Sequence, residues 1–124
     1  MLSKLLLLTF AASVKDFHVS FAQELITLLN FEKYKILLYS GQLDVIIGTS
    51  LTEAFLKQLD WKGTQNYLNS AKEIWRVKPT DAEVAGYRKS VGNFSYVVVR
   101  RAGHIAPFDQ PRAMMDLINK FVNE

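Results

Sequence analysis

The chain contains no cysteine. That absence removes disulfides, thiolate metal sites and a thiol nucleophile together, and leaves the redox compartment open. Its two histidines, His18 and His104, stand at no ligand spacing, so neither a metal nor another cofactor is expected. Long apolar runs are missing too. The longest, in "MLSKLLLLTF", is far shorter than the roughly 20 residues that cross a bilayer, so no membrane span is expected. Charge of one sign is not concentrated either. The formal charge of +3 is spread along the chain, whereas a nucleic-acid surface would gather its basic residues on one face. No repeat, linker or low-complexity tract divides the sequence. Its 124 residues fit one modest domain.

What is present is ordinary for a packed core, with 49% of residues hydrophobic. Residues 1–13 stand apart. One lysine precedes a short apolar run, and Ala11-Ala12-Ser13 offers small residues where a signal peptidase could cut. A cleaved leader, a buried helix and the ragged start of an incomplete chain all fit this stretch, leaving 15–124 as the folded part.

Periodicity then orders the elements. In "DFHVSFAQELITLLN", Phe17, Phe21, Leu25, Leu28 and Leu29 recur at helical spacing, with His18 on the helix surface. "YKILLYSG" is a continuous apolar run closed by glycine, the mark of a parallel strand covered on both faces. Ser50 with Glu53 three residues on reads as a capping box. It would open a helix burying Leu51, Phe55, Leu56 and Leu59. "KEIWRV" and "AGYRKSVGNFSYVVVRR" read as strands, the second folded back at Gly92-Asn93, where positive φ is tolerated. Asp109 is the expected N-cap of a last helix with Pro111 in its first turn and Met114, Met115, Leu117, Ile118 and Phe121 inside. Trp61, Trp75 and Tyr87 are expected to pack, and Arg100-Arg101 to form a solvated rim. The alternation of helix and strand is α/β in character. So few strands cannot bury both faces of a parallel sheet, which suggests a portion of something larger.

Sites in open α/β sheets lie beyond the carboxyl ends of the strands. Asp44, after "ILLYSGQL", and His104, after "YVVVRRAG", both sit there. If the two strands are parallel and adjacent, a carboxylate and an imidazole meet. A histidine acting as general base needs such a carboxylate to fix its tautomer and stabilise the imidazolium. The order Asp then His is the back end of the α/β-hydrolase order Ser, Asp, His. A turn aspartate bonding its own backbone and a loop histidine are the plainer alternative.

Beyond these positions, the blocks "GQLD", "LDWKG", "AGY" and "AGHIAPFDQP", in that order, resemble the C-terminal part of serine carboxypeptidases, in particular the vitellogenic-carboxypeptidase-like branch. The resemblance runs from about Tyr34 to Phe121. It implies part of an α/β-hydrolase fold with at least two parallel strands and packing helices. The implied activity is removal of C-terminal residues from peptides at acidic pH, in a secreted, lysosomal or vacuolar setting. Asp44 falls on the family's catalytic aspartate, His104 on its catalytic histidine, and Ile105 on a residue lining the pocket for the departing residue. Asn93 in "NFS" is a glycosylation sequon.

One part of the machinery has no counterpart. None of the eight serines (Ser3, Ser13, Ser20, Ser40, Ser50, Ser70, Ser90 and Ser95) carries glycines at both minus two and plus two, as a nucleophile elbow requires. A carboxypeptidase portion inactive by itself is therefore expected, with peptide or protein C-termini as the substrates of the whole enzyme. A non-enzymatic fragment that binds peptides or a partner along an exposed sheet edge is the alternative. Nothing in the sequence sets an oligomeric state.

Overall fold

The computed structural model describes residues 3–7, 15–44 and 49–124, with side chains described for 22–44 and 50–124. In chain order the elements are β1 (Ser3–Leu7), α1 (Lys15–Phe31), β2 (Tyr34–Gly41), α2 (Thr49–Gln58), α3 (Thr64–Asn69), β3 (Glu73–Trp75), β4 (Gly86–Val91), β5 (Phe94–Val99), α4 (Ala106–Asp109) and α5 (Pro111–Asn123). The five strands form one sheet in the order β1-β2-β5-β4-β3. β1, β2 and β5 are parallel neighbours. β4 and β3 extend the sheet antiparallel beyond β5.

The central strands read as apolar runs because both of their faces are covered. Ile36 and Leu38 of β2 with Phe94, Tyr96 and Val98 of β5 pack against Leu25 and Leu29 of α1, Leu56 and Leu59 of α2, and Trp61 and Tyr67. The alternate residues Leu37, Tyr39, Val97 and Val99 face the opposite way, onto Trp75 and the Ala113, Met114, Leu117 and Phe121 stripe of α5. Period-two alternation thus feeds two cores at once. Fully burying one such aliphatic side chain contributes about 2 kcal/mol, so the two layers outweigh any single surface interaction.

The hairpin turns where expected. Gly92 adopts φ +56 between β4 and β5, a conformation that costs a residue without Cβ nothing. Trp61 and Trp75 are buried and Tyr87 is half-buried, in keeping with packing roles. Arg101 is exposed and Arg100 half-buried.

Among the described residues the sheet has five strands, at least two of them parallel as expected. Several expectations are corrected. Within the apolar stretch of residues 1–13, Ser3–Leu7 is strand β1, so the buried-helix reading fails there. Ser50 is inside the first turn of α2 rather than ahead of it, and Glu53 pairs with Lys72 at 3.0 Å instead of closing a capping box. Leu51 and Met115, placed inside from periodicity, are exposed. Asp109 ends α4, and the N-cap of α5 is Gln110; Pro111 does open α5. The short helix α3 had no forerunner in the pattern. Phe17, His18 and Phe21 lie on α1, with side chains outside the described ones.

Candidate active site

The site is built by two connections that leave the same edge of the sheet. β2 ends at Gly41, opposite Val99 at the end of β5. The backbone then stays zipped past the strands. Gln42 N donates to Val99 O at 2.9 Å, and Leu43 N to Ala102 O at 2.8 Å. Asp44 N turns back onto Gly41 O at 3.1 Å. The Asp109 carboxylate accepts from Gly103 N at 2.7 Å, fixing the residue just ahead of His104.

This scaffold brings Asp44 and His104 together across 60 residues of sequence, with His104 Nδ1 3.1 Å from Asp44 Oδ2. The Asp44 side chain is 1% exposed and that of His104 29%. Burying a carboxylate is costly unless it is hydrogen-bonded or paired, and the imidazole supplies that partner. A neutral ring donating from Nδ1 to the carboxylate keeps its acceptor lone pair on Nε2. The arrangement is therefore suited to accept a proton at Nε2 while the carboxylate stabilises the resulting imidazolium.

Ile105, the next residue, is 63% exposed, and Phe108 and Leu43 are also exposed large apolar side chains in these two connections. Asn93 lies elsewhere, before the first residue of β5 and so at the opposite end of that strand from His104. Its Nδ2 donates to Tyr34 O at 3.0 Å and Leu29 O at 3.3 Å.

Two contributors went unread in the sequence. Asp109 reads locally as a helix cap, and only its position in space makes it an acceptor for Gly103. Gly41 closes the apparent strand, but its tight approach to residues 102 and 103 has no local signal.

A mixed sheet with a parallel centre, helices on both faces, and an acid and a histidine beyond adjacent carboxyl ends defines the α/β-hydrolase class of fold. The superposition agrees. Kex1(delta)p, a prohormone-processing carboxypeptidase from Saccharomyces cerevisiae, matches with a TM-score of 0.70 and 26% identity, over 82% of this chain and 22% of that one. Residues 6–124 match the sequence profile described as serine carboxypeptidase, and the chain belongs to the serine carboxypeptidase family. It is 47% identical over 89 residues to the probable serine carboxypeptidase CPVL of Homo sapiens, covering 72% of this chain and 19% of that protein. It is 41% identical over 92 residues to the venom serine carboxypeptidase of Apis mellifera, covering 74% and 19%. With the vitellogenic carboxypeptidase of Aedes aegypti it shares 40% over 91 residues, covering 73% and 19%. The chain thus spans about a fifth of the length of the curated relatives it matches.

Proposed function

We propose that Asp44 and His104 are the orienting acid and the general base of a serine-type carboxypeptidase that removes residues from peptide C-termini, and that this chain holds them without the nucleophile. The observation that carries the reading is the 3.1 Å contact between a buried carboxylate and a partly exposed imidazole. In the whole enzyme His104 Nε2 takes the proton of a serine hydroxyl as that oxygen attacks the scissile carbonyl, then returns it to the departing amine. Asp44 holds the ring in the tautomer that permits this. Ile105, exposed beside His104, lines the space for the departing residue.

General-base catalysis accelerates only when there is a nucleophile to activate. The serines whose hydrogen bonds are described are engaged within the fold. Ser40 bonds Tyr96, whose phenol burial pushes up to about 12 and so keeps neutral. Ser70 donates to Tyr67 O, and Ser90 and Ser95 bond each other. The purified 124-residue chain is expected to give no turnover of a blocked dipeptide at acidic pH and no labelling by a fluorophosphonate. Inhibitor-sensitive turnover by the pure chain overturns the claim that the serine is missing.

A secretory or lysosomal route is the matching location, with a cleavable leader in residues 1–13. Among the described residues no helix is long and apolar enough to cross a membrane. Leader removal and β1 are mutually exclusive in the mature protein, because cleavage after residue 13 takes the β2 partner strand away. Mass spectrometry of the native N-terminus decides between them.

A second reading rests on the sheet order, which among the described residues leaves β1 and β3 as edges. An extended peptide could add to either by backbone pairing. Saturable binding of peptides by a chain that does not cleave them distinguishes this reading.

A further inference from the structure

The sheet face that carries α2 and α3 holds a cavity of about 240 Å³ that shares no lining residue with the Asp44–His104 couple. Tyr67 of α3, Tyr87 of β4 and Tyr96 of β5 form part of its wall. Three lysines reach it from separate parts of the chain: Lys57 in the last turn of α2, Lys72 between α3 and β3, and Lys89 on β4. One carboxylate, Glu53, faces them, and Lys72 occupies it at 3.0 Å. Arg88 also borders the cavity, but its guanidinium is gripped by Glu124 through two bonds of 2.8 and 2.9 Å. Lys57 and Lys89 pair with no carboxylate among the described residues.

Lys89 is half-buried, and its Nζ rests 4.5 Å from the centre of the Tyr67 ring. A cation over a phenol face gains some attraction, but that does not replace the lost water and does nothing about the neighbouring lysines. Burial first, then repulsion from Lys72 and Lys57, holds the Lys89 ammonium below the usual lysine pKa. An anion placed between Lys57 and Lys89 would relieve both costs. Lysine acts there as a point charge rather than a planar fork, which suits a small multivalent oxyanion better than a single planar carboxylate. The tyrosines in the wall supply aromatic contact to a flat group carried by the anion.

We propose that this cavity is a binding site for a phosphate group, with Lys57 and Lys89 as its charge partners and the tyrosines as its wall. The group could arrive as free phosphate or as an ester on an aromatic ring. Two probes separate these sources. The full 124-residue chain, labelled with ¹⁵N, is titrated at constant ionic strength with inorganic phosphate and separately with phenyl phosphate.

Saturable amide shifts at residues 57, 67 and 89 are expected, with half-saturation at about 1 mM for a solvent-open site with two cations. Phenyl phosphate binding about tenfold more tightly assigns an aromatic ester; equal binding assigns the free anion. Lys57→Gln and Lys89→Gln each weaken binding about fivefold, the loss of one near-surface charge partner. Lys62→Gln, which removes a lysine outside the cavity, leaves it unchanged. Lys57 is exposed, so its variant keeps the core intact even if the Lys89 variant does not fold. Absence of saturation by either probe up to about 20 mM, or equal affinity in the Lys57 and Lys62 variants, overturns the proposal. The outcome is independent of the hydrolase reading, because none of the substituted residues touches the rim that holds His104.

Discussion

Gly41 and Gly103 meet where the two site-bearing connections are pressed together. A Cβ added to Gly41 would lie 2.1 Å from Gly103 O and 2.4 Å from Ala102 O. The obstruction is backbone on both sides, so no side-chain rotation relieves it. Gly41→Ala is expected to cost about 3 kcal/mol, at the upper end of overpacking penalties, and to spread the Asp44 and His104 connections apart. A urea midpoint shift together with a changed His104 ring signal would report both effects. An unfolding free energy within about 0.5 kcal/mol of the parent would refute the close approach.

Asp44→Asn keeps the shape of the buried side chain and removes its charge. An amide can present N–H to His104 Nδ1, which favours the opposite tautomer and moves the ring proton to Nε2. Imidazole ¹⁵N shifts should therefore exchange between the two nitrogens in the variant. An unaltered pattern would mean that Asp44 does not orient the ring. In any assembly that restores turnover, the same substitution should lower kcat by about four orders of magnitude.

Glu124 ties α5 to the sheet. The Arg88 guanidinium, aided by Lys35, holds its carboxyl at about 2, against an ordinary 4.5. The folded-state value is the lower one, so the stabilisation is complete above about pH 4.5 and is lost as pH falls toward 2. Glu124→Gln should lower stability by about 1 kcal/mol at neutral pH, allowing for screening at a side chain about a third exposed. The parent and variant stability curves should converge as the pH approaches 2. A gap that stays constant over that range would show that the carboxylate is not responsible.

Asn93 carries the sequon, and in the fold its Nδ2 already donates to two carbonyls. A sugar on that nitrogen displaces one of its two hydrogens, so attachment has to precede docking of the β4–β5 hairpin on α1 and β2. Material made in a secretory host and then treated with an amidase is expected to keep one mass if folding outruns transfer. Conversion of Asn93 to aspartate on that treatment would establish the opposite order.

The parts that could be read from the sequence are those whose cause is local or strictly periodic. β2 and β5 are buried on both faces and therefore appear as uninterrupted apolar runs. The hairpin was visible because Gly92 supplies the positive φ its turn needs. Asp44 and His104 stood out as polar residues placed just after such runs. Other features depended on neighbours distant in sequence. β1 is a strand through pairing with β2, and "SKLLL" carries no period of its own. α3, at six residues, is too short for a 3.6-residue pattern to emerge. Within "MM", the helical period could not tell the buried Met114 from the exposed Met115. Asp109 suited a helix cap equally well, and the fold uses it on Gly103 instead.

The pairing of β2 directly with β5 also sets an order of events during biosynthesis. The partners in the site are 60 residues apart, so the loop between them must close before either gains from the other, and such distant pairings slow folding. A nascent chain can complete α1 and β2 early, yet Asp44 waits for its imidazole until residue 104 has left the ribosome. The Asp44–His104 contact is thus withheld until both connections have emerged and the two strands have paired.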